Sequence, residues 1–300
     1  MFVEIVGEVI VMRYEQPLFR PPSEAYSLIL QATIGCSHNA CSFCSMYKGK
    51  KFRVRSLKEL AEDIRLAKER YGYVEKVFLA DGDALAMEAD HLLEILQLVR
   101  ESFPKVRQIS VYAGPKNILA KSEEELRSIR EAGVSLAYFG LESGDGEVLK
   151  EVKKGATPEE MAKAGKKIQL AGIDLSVTVI LGLGGRHRWQ EHALQTAKVA
   201  SEINPRYLAA LTLMVDKRTP LGNKVASGEF AVPSAAESLL ELKTLIENLE
   251  VDDCLFRSNH ASNYLAVGGA LPKDRKSMIS AIEQALRDQR LLKDEAFREL

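Results

Sequence analysis

Six short apolar runs recur along the chain, spaced so that one helix fits between each pair. They cover Ser27 to Thr33, Lys76 to Asp81, Gln108 to Tyr112, Ser135 to Leu141, Leu175 to Leu181 and Tyr207 to Val215. Each is nearly continuous in Val, Ile, Leu and Ala instead of alternating with polar residues, as expected of strands buried on both faces of a parallel sheet. The stretches between them have helical periodicity: Leu57, Leu60, Ala61, Ile64 and Ala67 draw one apolar stripe. Ser56 with Glu59, Ser122 with Glu125 and Ser234 with Glu237 fit the capping box, Thr157-Pro158 opens another helix, and Gly133 and Gly172 stand where two helices should stop. The alternation predicts an α/β fold, a partial TIM-type barrel of about six parallel β/α units. Residues 1–26 form a short N-terminal extension containing the extended segment Arg20-Pro21-Pro22. Residues 27–215 form the barrel, and residues 216–300 form a C-terminal helical segment on the substrate side. The whole is expected to be one domain. Cys254 to Ser258 is a candidate seventh strand, and a last helix is expected near Lys273.

Composition narrows the class. The chain has 300 residues, 46% of them hydrophobic and 28% charged, enough for one large core. A formal net charge of −1 argues against a generally basic nucleic-acid binder. No apolar run reaches the roughly 20 residues of a membrane span. Glu4 and Glu8 interrupt the apolar residues of the N-terminus, which is unlike a signal peptide. Four cysteines in a chain of this size do not make a disulfide framework, so a reducing, cytoplasmic setting is expected.

Three of those cysteines carry the chemistry. Cys36, Cys41 and Cys44 follow the first apolar run with the spacing C-x4-C-x2-C. Three thiolates on one loop suit three irons of a [4Fe–4S] cluster and leave the fourth iron open to a small molecule. Cys41-x2-Cys44 alone would also fit a thioredoxin-like pair or half of a zinc site. A structural zinc wants four ligands; His38 lies inside the same loop, where tetrahedral closure would be strained. Cys254 is far away in sequence and reads as a small buried hydrophobe, not a ligand.

In a barrel of this kind the active face lies at the C-terminal strand ends. The successive runs end in Asp81-Gly82-Asp83, in Tyr112-Ala113-Gly114-Pro115, in Gly140-Leu141-Glu142-Ser143-Gly144 and in Leu181-Gly182-Leu183-Gly184-Gly185. Acids and small residues thus gather at the same end as the thiolates. Taken singly they are ordinary turn formers; their ordered recurrence points to one site.

With these motifs in place, the stretch from Leu28 to Val215 resembles the radical S-adenosylmethionine (SAM) enzymes. In that family three cysteines, usually C-x3-C-x2-C, bind a [4Fe–4S] cluster whose fourth iron is chelated by SAM. The resemblance implies a radical SAM enzyme, in which the cluster reductively cleaves SAM to a 5′-deoxyadenosyl radical that abstracts hydrogen from a substrate. It implies that Phe43 is the aromatic residue before the third cysteine and that Asp81-Gly82-Asp83 stands where the family's Gly-Gly-Glu meets the SAM amino group. Glu142 and Ser143 match the polar residues that meet ribose or methionine. Val177 to Gly182, including Leu181, is similar to the segment that presents backbone to adenine, with Ser176 as a further contact. There are two departures. The cysteine motif carries one extra residue, so the loop must bulge, and Asp83 is shorter than the usual Glu, which brings in water as a bridge. A reductant such as flavodoxin or ferredoxin is implied as partner. A non-catalytic iron–sulfur carrier or sensor, and a zinc-stabilised binding protein, remain alternatives.

The substrate side is expected in Arg257-Ser258-Asn259-His260-Ala261-Ser262-Asn263-Tyr264, which follows the candidate seventh strand and is dense in hydrogen-bonding groups. Asn259, His260, Asn263 and Tyr264 are the expected lining, with His260 as acid or base. Asp216 to Thr219 and Arg186 to Arg188 are further candidates. The basic run from Lys48 to Arg55 is either a docking surface for an acidic electron donor or a solvated approach to the first helix.

Overall fold

The structure, a computed structural model of the chain, describes residues 12–299, so the reading of Glu4 and Glu8 lies outside the described residues. One sheet organises them. Its strands are β1 (Leu28–Gln31), β2 (Lys76–Ala80), β3 (Gln108–Tyr112), β4 (Val134–Glu142), β5 (Asp174–Leu181), β6 (Tyr207–Thr212), β7 (Cys254–Ser258) and β8 (Val267–Leu271). They lie side by side in chain order. The first seven are mutually parallel, and β8 returns antiparallel to β7 with Val267 opposite Ser258. The candidate seventh strand is therefore present over Cys254–Ser258, parallel to the six main runs, and the sheet adds a reversed edge strand that the sequence reading did not include. Ten helices connect and follow the strands: α1 (Leu57–Arg70), α2 (Ala89–Ser102), α3 (Pro115–Ala120), α4 (Glu123–Glu131), α5 (Gly146–Glu151), α6 (Pro158–Leu170), α7 (Gly185–Ile203), α8 (Pro220–Ser227), α9 (Ala235–Asn248) and α10 (Arg275–Arg287).

Because the strand order never reverses, crossovers of one hand put every helix on the same face, and a sheet covered on one face curls toward a barrel. Side chains on the covered face, such as Val77, Leu79, Val111, Phe139, Val177 and Ala210, join the helices in the main core. The other face carries a separate cluster of Ile29, Phe78, Ala80 and Tyr138, with Tyr112 and Leu136 against it. Phe78 and Tyr112 meet edge to face with centroids 5.1 Å apart. All four anticipated capped starts are present: Ser56, Ser122, Thr157 and Ser234 each accept the amide of the Glu three residues on, and each Glu answers the cap amide. Each such cap contributes about 1 kcal/mol.

The N-terminal extension covers β1, the edge strand. Tyr14 donates its hydroxyl to Ile29 O, and the Gln31 side chain bonds both N–H and C=O of Glu15. Glu24, fully buried, accepts from Tyr138 Oη at 2.6 Å. Pro21 is extended as expected, whereas Pro22–Glu24 winds into one 3-10 turn. Among the described residues, no helix is long and apolar enough to cross a membrane.

Candidate active site

The cysteine loop leaves β1 through a two-residue antiparallel ladder, Thr33–Ile34 against Arg53–Val54, which clips its two ends together. Between them Cys36, Cys41 and Cys44 are free thiols, each partly exposed. The extra residue is absorbed where Asn39 takes φ 40°, a left-handed conformation that Asn tolerates. Its side chain donates to Tyr47 O at 2.9 Å, and Lys48 Nζ donates to its carbonyl at 2.7 Å. Ser42 anchors the loop from two sides: its amide donates to Val152 O at the end of α5, and its carbonyl accepts from Leu221 N in α8. Phe43 packs against the small apolar cluster of Val148, Val152, Leu183, Leu213 and Leu221, so its ring pins the loop to the ends of β5 and β6.

The two alternative ligands are turned elsewhere. His38 Nε2 pairs with Lys153 O at 2.7 Å, and its ring lies over Gly155, on the outer side of the loop. Cys254 opens β7, at the opposite end of the sheet from the loop, and is fully buried; burial pushes its thiol up to about 12. Among the described residues, no three His, Cys, Asp or Glu side chains gather for a single ion. A cluster asks for something else, one thiolate at each of three irons. Burial raises Cys41 to about 11 and also raises Cys44, so metal would have to displace protons from these thiols.

The two aspartates after β2 face different ways. Asp81 is fully buried beneath the loop, where one carboxylate oxygen accepts from Lys50 Nζ at 2.8 Å and from Gln31 Nε2 and the Gly35 amide at 3.0 Å. It braces the loop. Asp83 accepts at Oδ2 from Asn117 Nδ2 at 2.6 Å, Gly114 N at 3.0 Å and Ser37 Oγ at 3.3 Å, while its Oδ1 is buried without a partner. Burial outweighs those bonds and lifts its pKa to about 6. Gly82, between the two, has no space for a side chain: a β-carbon would lie 2.9 Å from Cys36 Cβ and 3.0 Å from the Tyr47 ring. The aspartate segment and the first cysteine are thus in backbone contact.

At the end of β4 the chain bulges between Gly140 and Glu142, and Glu142 takes φ 62°. Its carboxylate accepts from Lys154 Nζ at 3.0 Å, with both side chains largely shielded. A β-carbon on Gly140 would strike both partners, at 2.2 Å and 3.0 Å, so glycine lets the pair lie across the strand. Burial pulls Lys154 down, but Glu142 and then the Cys41 thiol outweigh it, and the net shift is upward. Lys154 therefore sits within electrostatic reach of the loop. Sequence reading missed it, as it missed Ser37 and Asn117. Ser143 is fully buried and accepts the Asp145 amide at 2.9 Å, a turn brace behind the strand end.

The β5 segment is divided. Ser176 faces the barrel interior near the start of the strand, level with Tyr138 and Tyr207. Leu181, at its end, sends its side chain into the main core and leaves only backbone on the active face. The next amide, Gly182 N, donates to Glu241 Oε2 at 2.9 Å, and Glu241 Oε1 meets His192 Nδ1 at 2.6 Å, both side chains buried. Arg186, Arg188 and Arg218 are engaged with Glu237, Asp145 and Asp216. The basic run also divides: Lys50 and Arg55 are buried against Asp81 and Asp63, leaving Lys48, Lys51 and Arg53 more open.

Past β7, residues 259–265 lie at the active end of the sheet, since Asn263 is tied to the end of β6. It accepts from Thr212 Oγ1 and donates to Ala210 O, each at 2.9 Å. Tyr264 donates to Glu295 at 2.6 Å and lies under Arg298. Asn259, His260, Asn263 and Tyr264 border one cavity of about 330 Å³. A larger groove, about 1540 Å³, runs outside the barrel along α5, α6 and α7 and meets the cysteine loop at His38 and Ala40.

The Radical SAM superfamily profile matches residues 30–197. An uncharacterised methyltransferase of Pyrococcus horikoshii is 24% identical over 181 residues, 60% of this chain and 38% of the relative. Heme chaperone HemW of Bacillus subtilis is 19% identical over 225 residues, 72% of this chain and 58% of the relative. The chain thus spans less than two thirds of the length of either. Coproporphyrinogen III oxidase of Escherichia coli, described as a radical SAM enzyme, superposes with TM-score 0.54 at 19% identity, covering 79% of this chain and 53% of the other. The likeness extends to the partial barrel.

Proposed function

The chain belongs to the radical SAM superfamily, and on that premise we propose that it is a radical SAM enzyme whose Cys36, Cys41 and Cys44 hold a [4Fe–4S] cluster. The observation that carries this reading is Asp83: its Oδ1 is buried without a partner, as is that of Asp81, and its Oδ2 is bonded to Ser37 of the loop that holds three free thiols. When bound, the cluster and SAM supply one-electron cleavage of the sulfonium and a 5′-deoxyadenosyl radical for hydrogen abstraction. The chain's own groups bind and orient. Asp83, held by Asn117, Gly114 and Ser37, offers its free oxygen to the SAM ammonium. Lys154 complements the SAM carboxylate, and Glu142 turns to the ribose or methionine beside it. The Gly182 turn, fixed from α9 by Glu241, presents backbone to the nucleoside. Residues 27–215 thus serve cluster and cofactor, and residues 216–300 serve the substrate, with His260 and Asn259 as its polar contacts. Asn263 and Tyr264 shape that wall. A flavodoxin- or ferredoxin-like donor is assigned to the basic run that closes the cysteine loop, where Lys48 and Lys51 stay exposed. A low-potential donor of that kind fits a cytoplasmic setting.

Anaerobic reconstitution tests the reading. About four irons and four sulfides per chain, with 5′-deoxyadenosine released on reduction in the presence of SAM, are expected. Zinc without iron, or a cluster whose spectrum ignores SAM, overturns it.

A further inference from the structure

We propose that residues 259–265 and the C-terminal segment 288–299 together build a binding cavity for an anionic group of the substrate, with Lys293 and His260 as its donors. Topology brings the two segments together. Because β8 runs antiparallel to β7, α10 climbs back toward the active end of the sheet and delivers the tail beside the loop after β7. Arg298 locks it there. That side chain is buried; it donates to Ser262 O at 2.6 Å and Leu213 O at 2.9 Å, and its guanidinium lies 4.0 Å from the Tyr264 ring centroid. The Lys293 amide donates to Tyr264 O at 2.8 Å, and its Nζ to Ala261 O at 3.1 Å. The tail is a fixed wall.

The cavity of about 330 Å³ between these segments is chemically one-sided. Asn259, His260 and Lys293 supply polar groups, Leu265, Leu291 and Leu292 supply apolar surface, and among the described residues no carboxylate lines it, Glu295 being engaged with Tyr264 and Arg298 beside it. The tautomer of His260 follows from its bonds: Nδ1 accepts the Ser262 amide at 3.1 Å, so the neutral ring carries its proton on Nε2. Burial, then Lys293, lowers its pKa. A ligand entering here meets an ammonium with two uncommitted N–H bonds, an imidazole N–H and an amide, above an aliphatic floor. That combination selects a molecule with an apolar body and one carboxylate or phosphate. As a substrate site it rests on the radical SAM reading above; as an anion site it does not.

The probes are hexanoate, hexanol and hexylamine, titrated into the anaerobically reconstituted full chain, with binding read by ligand-observed NMR. Hexanoate is expected to bind about tenfold or more tighter than either analogue, to lose about tenfold in Lys293→Met, and to keep most of its affinity in Lys293→Arg. Equal binding of hexanol, or unchanged hexanoate affinity in Lys293→Met with an unchanged unfolding midpoint, overturns the assignment. Phosphate competing with hexanoate through Lys293 supports it equally. SAM cleavage by the wild-type chain is measured on the same samples. Cleavage without hexanoate binding overturns this inference alone. Lys293-dependent hexanoate binding without cleavage supports the anion site and overturns only the catalytic reading.

Discussion

Lys154 and Glu142, twelve residues apart and on either side of α5, form an ion pair at 3.0 Å across Gly140, beside the cysteine loop. The pair links the end of β4 to the turn after α5, and so to the backbone on which His38 rests. A lysine held this way is a positioned ammonium at the edge of the cysteine loop, and on the proposed reading it meets the carboxylate of the cofactor.

Lys154→Met should weaken SAM binding by about 1–3 kcal/mol, roughly tenfold to a hundredfold, while iron content stays at the wild-type level. Calorimetric titration of reconstituted protein checks this. An unchanged dissociation constant would remove Lys154 from the cofactor site.

Serine at Cys36, Cys41 or Cys44 should each abolish iron retention after anaerobic desalting, and Cys254→Ser should keep the full complement. Iron counting decides. Loss in Cys254→Ser with retention in Cys36→Ser would reverse the ligand assignment.

Asp83 connects function to stability with a definite sign. Its folded pKa, raised to about 6 from an ordinary 3.8, means that the folded state holds a proton the unfolded state releases between those values. Stability of the SAM-free chain should therefore fall as pH rises through that window and level off above it, by on the order of 3 kcal/mol from this group. Asp83→Asn should remove that slope and be more stable than wild type at pH 7, yet bind SAM less well. Urea midpoints between pH 4 and 7, beside SAM titrations at pH 7, test both halves. A slope that survives in the variant would refute the attribution.

Lys50→Met leaves Asp81 as a buried charge without its ion-pair partner and should destabilise the chain by about 3–5 kcal/mol. The double variant Lys50→Met/Asp81→Asn should recover part of the loss. If the two single losses simply add in chemical denaturation, the pair is not coupled.

What was legible in the sequence was what is local. The three capping boxes read true because Ser and the Glu three residues on need only each other, and the helix opened by Thr157-Pro158 proves to have a fourth. The strand runs read true because burial on both faces keeps polar residues few, among them Gln31, Ser110 and Ser176. β8 escaped because its run, Val267-Gly268-Gly269-Ala270-Leu271, holds too little apolar surface to stand out. Asp81 and Asp83 look alike in sequence, yet one bonds Lys50, Gln31 and Gly35 beneath the loop and the other Asn117, Gly114 and Ser37, partners far away along the chain. Lys154 lay hidden for the same reason: its partner is twelve residues upstream, across a helix. Within Lys48 to Arg55, the burial of Lys50 and Arg55 depended on carboxylates supplied by β2 and α1.

Ser42 has a consequence for how the protein matures. Its two backbone bonds go to Val152 and to Leu221, residues that leave the ribosome more than one hundred and more than one hundred and seventy positions after it. A nascent chain that has reached only β4 has the three cysteines but not the frame that sets their spacing. The anchors of the cysteine loop are thus complete only once the chain has been made through α8.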